Sequence, residues 1–237
     1  MDTIKISGGK PKMIAHRGLS GIEPENSLAA FIAAGNRSYF GIETDVHRTL
    51  DGEFVITHDD QTGRVSNTDL LIESSTFAQI RNIDLKDNDG ETTTLKIPSL
   101  QEYIKICRKY KKIAVLELKN RFCAEDIRRI VDIINNMNYL EQVIFISFEA
   151  GNLKVLRSLC PDQPLQFLTE RVDEGILDML KQYRMAIDLY FEVLNKELVD
   201  RLHRENIEIN VWTCDDKTSA ERMIQYGVDY ITTNILE

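Results

Sequence analysis

The first quarter of the chain concentrates side chains able to hold a phosphate and move a proton. His16 and Arg17 follow Ala15, Glu43 and Asp45 lie two apart in GIETDV, and His58 ends the run EFVITH. Further on, Glu117 and Lys119 repeat the alternation in VLELKN. In a strand, residues two apart share a face, so Glu43 and Asp45 point the same way. Carboxylate oxygens suit a hard divalent cation, Mg²⁺ or Ca²⁺. A solvated, lysine-paired rim explains these acids less well, because Ile42, Val46, Leu116 and Leu118 flank them and an unpaired charge among apolar neighbours is costly. Of two imidazoles, one can take a proton while the other gives one. Arg17 can grip two phosphate oxygens at once and Lys119 adds a point charge. The set suggests metal-assisted cleavage of a phosphodiester.

Other candidates carry less. His47 is read as turned from the Asp45 face, and His203 lies in a helical pattern; both are taken as structural or solvent-exposed. Trp212, the only tryptophan, either packs the core or joins Phe148 of ISFEA as an apolar wall for a substrate's carbon skeleton. No G-x-x-x-x-G-K-[ST], G-x-S-x-G or G-x-G-x-x-G pattern occurs, which weakens nucleotide, serine-hydrolase and dinucleotide readings.

These residues need strands to deliver them. Apolar, β-branched runs predict strands at Lys12–Ala15, Gly41–Val46, Lys112–Leu118, Gln142–Ser147, Pro164–Thr169, Met185–Leu189, Glu208–Thr213 and Asp229–Thr232. Helical spacing lies between them: Leu100, Tyr103, Ile104 and Cys107; Ile127, Ile130, Val131 and Ile134; Leu28, Phe31 and Ile32 after a cap at Asn26 or Ser27; Met223 and Ile224 after Asp215 or Asp216. Eight strands alternating with helices predict a TIM-type (β/α)₈ barrel, with active residues at the C-terminal ends of its strands. Two features break the repeat. After a strand-like Glu53–Thr57, the polar stretch 59–97 is too long for a βα connection and reads as an insertion over the catalytic face. Only Asn234–Glu237 follow the last strand, so the eighth helix is reduced or absent. A chain of 237 residues fits one barrel of about 250, and residues 1–237 read as a single domain.

The net charge of -9 argues against nucleic-acid binding, which needs a basic surface, and against stable membrane association; an anionic substrate must be drawn in locally. Cys107, Cys123, Cys160 and Cys214 show no metal spacing and read as reduced, mostly core-facing thiols. No secretory signal or membrane span is evident, which predicts a cytoplasmic protein. The oligomeric state is not legible.

Taken together, AHRGLSGIEPENSLAAF, GIETDVHRTLDGEFVITHDD, IPSL, LELK, ISF, VWTCDD and GVDYITTN resemble the glycerophosphodiester phosphodiesterase family over essentially the whole chain. The resemblance implies a barrel enzyme that splits small-molecule glycerophosphodiesters into sn-glycerol 3-phosphate and an alcohol, using one divalent cation. By the same resemblance Glu43, Asp45 and Glu117 match the metal ligands, His16 and His58 the acid/base pair, Arg17 the phosphate contact and Lys119 the lysine beside it. Phe148 and Trp212 match residues lining the glycerol side. The family commonly ends its last strand with T-D-x-P, where this chain reads Thr233-Asn234-Ile235; the last loop is therefore expected to differ. A lysophospholipase D or phospholipase C-like substrate range, and a barrel that binds phosphorylated ligands without turnover, are the alternatives.

Overall fold

The computed structural model describes residues 2–6 and 11–237. The chain begins with β1 (Lys12–Ala15), α1 (Leu28–Gly35) and β2 (Gly41–Arg48). It turns back through β3 (Phe54–Ile56) into the inserted stretch, which holds a 3₁₀ turn at Ile72–Ser74 and α2 (Phe77–Asn82). Strands and helices then alternate: α3 (Leu100–Tyr110), β4 (Ile113–Leu118), α4 (Ala124–Asn136), β5 (Val143–Ser147), α5 (Ala150–Leu159) and β6 (Leu165–Thr169). The series ends with α6 (Glu174–Tyr183), β7 (Ala186–Tyr190), α7 (Lys196–Arg204), β8 (Ile209–Trp212), α8 (Lys217–Tyr226) and β9 (Tyr230–Thr233).

Because β1 pairs in parallel with both β2 and β9, the sheet closes on itself. Its order is β1-β9-β8-β7-β6-β5-β4-β2, and β3 hangs antiparallel on β2 outside the ring. This is the expected (β/α)₈ barrel. Among the described residues no helix follows β9. Instead Leu236 bridges to Ile4, and the Glu237 carboxylate pairs with Lys5 at 2.8 Å and accepts from the Ser38 hydroxyl at 2.7 Å.

Every barrel strand alternates between two cores. Outward residues such as Ile42, Val46, Leu116, Phe145, Ile187, Val211 and Ile231 pack under the helices. Inward ones, Ile14, Val115, Ile144, Ile146, Leu168 and Tyr230, fill the barrel's interior. The helices supply the expected faces: Leu100, Tyr103, Ile104 and Cys107 of α3 and Ile127, Ile130, Val131 and Ile134 of α4 are all buried. Caps follow the sequence as well. Ser27, not Asn26, caps α1 by accepting from the Ala30 N–H, and Asp216, not Asp215, caps α8 by accepting from Ser219. Ile32 departs from expectation, being exposed on α1. So does the description of the cysteines as mostly core-facing: Cys107 and Cys214 are buried, but Cys123 is exposed and Cys160 lies between.

The inserted stretch, polar as its sequence is, carries a small core of its own in which Val55 packs with Ile72, Ile80, Ile83, Leu85 and Ile97. It reaches the β1–α1 loop, where the Asn88 amide donates to the Ser20 carbonyl at 3.1 Å. No helix among the described residues is long and apolar enough to cross a membrane.

Candidate active site

The inward alternation that fills the barrel with Ile14 and Val115 brings Glu43 and Asp45 of β2, and Glu117 of β4, into the same interior. All three are buried, and each offers an oxygen within 4.8 Å of the others'. Lys119, two residues past Glu117, places Nζ 3.0 Å from Glu117 Oε1 and 3.6 Å from Asp45 Oδ1. At the end of β1 the chain enters a left-handed turn, with Arg17 at φ 54° and Gly18 at φ 76°. That turn aims the Arg17 N–H at Glu43 Oε2, 2.8 Å away, and puts Arg17 Nε 3.8 Å from Asp45. Glycine is required at 18 twice over: its conformation disfavours a side chain, and a Cβ there would lie 2.7 Å from Ala30. Asn26, also left-handed at φ 53°, donates to Asp45 Oδ2 at 2.8 Å and accepts from the Thr44 hydroxyl at 2.6 Å.

Both histidines are anchored through Nδ1, which leaves Nε2 free to act. His16 Nδ1–H donates to Asn234 Oδ1 at 2.8 Å. The Ser20 hydroxyl lies 2.7 Å from that oxygen and 2.7 Å from the His16 carbonyl, with one proton for the two, while the Asn234 amide donates to Asp215 at 2.6 Å. The neighbours thus fix which way the amide points. His16 Nε2 sits 4.0 Å from Glu43. His58 Nδ1–H donates to Asp59 Oδ1 at 2.6 Å. Arg64, from the inserted stretch, donates to Asp59 at 2.6 Å and to both oxygens of Glu25 at 2.7 and 2.8 Å. Glu25 accepts in turn from Arg17 at 3.0 Å. A continuous chain of hydrogen bonds, Arg17–Glu25–Arg64–Asp59–His58, therefore joins one guanidinium to one imidazole.

The electrostatics divide the site. Burial, with the Arg17 charge beside it, holds the His16 imidazole down at about 4. Burial and the neighbouring carboxylates Asp45 and Glu117 push Glu43 well above the usual carboxylate range. Burial and Asp45 together raise Glu117 to about 8. Asp45 alone stays acidic: burial opposes its ionisation, but Lys119, Arg17 and His58 outweigh it and hold the group at about 2.

His16, Arg17, Glu43, His58, Glu117 and Lys119 line an open cavity of about 100 Å³ together with Phe148, Trp212 and Asp188. The Phe148 and Trp212 rings meet edge to face at 5.6 Å, and Trp212 Nε1–H donates to the Asp188 carbonyl at 3.1 Å. Four buried polar atoms around the cavity lack a hydrogen-bond partner: Arg17 Nε, Asp45 Oδ1, Glu117 Oε1 and Asp188 Oδ1. Lys119 lies at ion-pair distance from two of those oxygens without hydrogen-bonding geometry to either. Buried polar atoms are seldom left unpaired in native proteins, so orphans gathered in one cavity point to a ligand. An all-oxygen set of converging carboxylates is the donor set a hard divalent cation requires. Glu43, Asp45 and Glu117 fit such an ion.

His47 corrects the sequence reading. Residues 43, 45 and 47 share one strand face, so His47 lies on the Asp45 side; it is fully buried, and its Nε2–H donates to the His58 carbonyl at 3.1 Å. It is a structural histidine that tethers His58, and it is not exposed. His203 pairs with Asp229 at 3.0 Å on α7, away from the cavity. Spacing missed Glu25, Asn26, Arg64, Asn234 and Asp188. Only Asp188 had a readable signal, as the inward acid of the apolar run MAIDLY, the argument already applied to Glu117.

A closed parallel barrel whose strand ends gather carboxylates, paired imidazoles and cations around one cavity defines a (β/α)₈-barrel enzyme for a phosphorylated substrate. The model of the glycerophosphoryl diester phosphodiesterase family matches residues 16–237. The chain belongs to that family and is an enzyme that cleaves phosphodiesters. A glycerophosphodiester phosphodiesterase of Caldanaerobacter subterraneus subsp. tengcongensis is 29% identical over 236 residues, covering 95% of this chain and 94% of that protein. Among solved structures, an Oleispira antarctica phosphodiesterase in complex with the product sn-glycerol 3-phosphate has a TM-score of 0.86 at 25% identity, covering 94% of this chain and 93% of that one. A glycerophosphodiester phosphodiesterase of Parabacteroides distasonis has a TM-score of 0.78 at 29% identity, over 96% and 94% of the two chains.

Proposed function

We propose that the site hydrolyses glycerophosphodiesters to sn-glycerol 3-phosphate and an alcohol, with one divalent cation, Mg²⁺ or Ca²⁺, held by Glu43, Asp45 and Glu117. One observation carries this reading: buried carboxylates from two adjacent strands converge within 4.8 Å beside a cavity that two Nδ1-anchored imidazoles line. The bound cation supplies charge neutralisation at the phosphate and a more acidic oxygen nucleophile. Arg17 and Lys119 hold the phosphoryl oxygens and stabilise the charge that grows there. His16, kept neutral by burial and Arg17, takes the nucleophile's proton at Nε2. His58, with the Asp59 carboxylate behind Nδ1 to stabilise its charged form, delivers a proton from Nε2 to the leaving alcohol. The nucleophile is water, or the substrate's own 2-hydroxyl through a cyclic phosphate that is later opened. Phe148 and Trp212 flank the glycerol carbons. Residues 1–237 form one catalytic domain, and 59–97 within it contribute Arg64 and the approach to His58.

The test compares glycerophosphocholine with its acylated counterpart, with and without chelator, across several metals, and follows release of glycerol 3-phosphate. Metal-dependent release from glycerophosphocholine is expected. Turnover of the acylated substrate alone would transfer the reading to a lysophospholipase D, and binding without product to a non-catalytic barrel.

A further inference from the structure

The cavity has two chemically different halves. Residues of the β1 turn, β2 and β4, with His58, form a charged half suited to phosphate and cation. The other half, from β5 to β9, is lined by Ile146, Phe148, Leu168 and Trp212, with the uncharged Thr213 and Thr232. Asp188 of β7 is the one ionisable group lining that half. It is 1% exposed, and its Oδ1 has no partner. Its polar neighbours satisfy one another: the Asn210 amide donates to Gln166 at 3.0 Å, and the Thr232 hydroxyl donates to Asn210 at 3.2 Å. The Asn210 side chain also reaches the Asp188 carboxyl, but Asp188 Oδ1 is left without a partner beside the cavity that the residue lines.

A buried polar group without a partner destabilises the fold, so the carboxyl must be matched by something that enters. With the phosphate held at the charged half, a glycerol chain laid between Phe148 and Trp212 carries its far end towards β7. That end is a hydroxyl, and a carboxyl bonds a hydroxyl in either protonation state. Among the described residues no cationic side chain lines this half to serve as the partner instead. We infer that Asp188 binds the terminal hydroxyl of the glycerol unit and thereby selects a free glycerol over one whose terminal oxygen is acylated or missing. The inference rests on the glycerophosphodiester reading of the site and assigns a specificity residue within it.

The experiment is a cycle between residue and substrate, run on the metal-loaded enzyme with choline release as the signal. The substrates are glycerophosphocholine and its analogue with the terminal hydroxyl replaced by hydrogen, which keeps the 2-hydroxyl. Wild type should favour the parent in kcat/KM by about 10- to 100-fold, the range expected when a buried polar partner goes unpaired. Asp188→Leu should lower kcat/KM for the parent by the same order and collapse the preference to within about threefold, whereas Asp188→Asn, still able to bond a hydroxyl, should keep most of it. A purely structural role would depress both substrates equally and leave the ratio unmoved, which overturns the inference. Should Asp188→Leu fail to fold, a wild-type ratio near one and an Asp188→Asn ratio unchanged from it overturn it equally. Wild-type enzyme inert towards glycerophosphocholine would instead refute the underlying reading, and the inference with it.

Discussion

Glu117 is the group whose ionisation the metal-free fold resists, and this makes stability a reporter of the cation site. Its carboxyl is held at about 8, against an ordinary 4.5, by burial and by Asp45. A folded-state value above the unfolded one means that protonation favours the fold: the stability is complete below 4.5 and is lost as pH rises towards 8. His16 runs the opposite way. Held at about 4 against 6.5, it adds stability as pH climbs through that interval and nothing beyond it. Asp45, at about 2, titrates below the range altogether. The window from pH 6.5 to 8 therefore leaves the buried carboxyls in play: Glu117, with Glu43 and Asp188 acting in the same direction. Roughly 1.5 pH units at about 1.4 kcal/mol each give a loss of about 2 kcal/mol. For a chain of this length that is a fall in Tm of about 4–8 °C. A divalent cation at about a hundred times its Kd should return about 2.7 kcal/mol and flatten the slope, since it replaces the proton as the neutralising charge. The assay is thermal unfolding across pH 6.5–8 in chelator and then in Mg²⁺ or Ca²⁺, with Glu117→Gln expected to fall less steeply than wild type. A level wild-type profile in chelator, a slope undiminished by Glu117→Gln, or a Tm indifferent to divalent cations would refute the reasoning.

The remaining expectations concern residues around the ion. His16→Ala and His58→Ala should each lower kcat by about 10²- to 10⁴-fold with unchanged circular dichroism, and near-normal turnover in either removes that histidine from proton transfer. Arg64→Ala cuts bonds to Glu25 and Asp59 that are partly exposed, so Tm should shift by no more than about 1 kcal/mol's worth while kcat/KM falls; equal loss of stability and activity would make Arg64 merely structural. Gly18→Ala forces a Cβ against Ala30 in a left-handed turn, and a loss of about 1–3 kcal/mol in denaturant unfolding is expected. A variant as stable as wild type would show that the turn tolerates a side chain.

The barrel was legible because period-two and period-3.6 patterns of apolar residues are local. Every barrel strand was located to within a residue or two at each end, and α3 and α4 bury the residues their spacing named. What could not be read were partners made by distant chain. Nothing around Arg64 says that it meets Glu25, and nothing around Asn234 says that it anchors His16, because those contacts depend on how the inserted stretch and the β9 end lie over the strand ends. Asn234 anchors His16 with a neutral oxygen. His47 was misread for a different reason: the alternation that pairs Glu43 with Asp45 continues through 47, and β2 extends to Arg48. The apolar content of the inserted stretch was diluted by its many polar residues, so its small core escaped notice.

The imidazoles, the cations and the converging carboxylates come from β1, β2 and β4 together with His58, while the apolar walls of the cavity come from β5 to β9. The two duties therefore fall on consecutive lengths of one gene, meeting near the α4 connection between Leu118 and Val143. The later half is not free of the first, since Asn234, held by Asp215, anchors His16 from the end of β9. A chimaera joined there should import a relative's taste in substrate only if it keeps that pair.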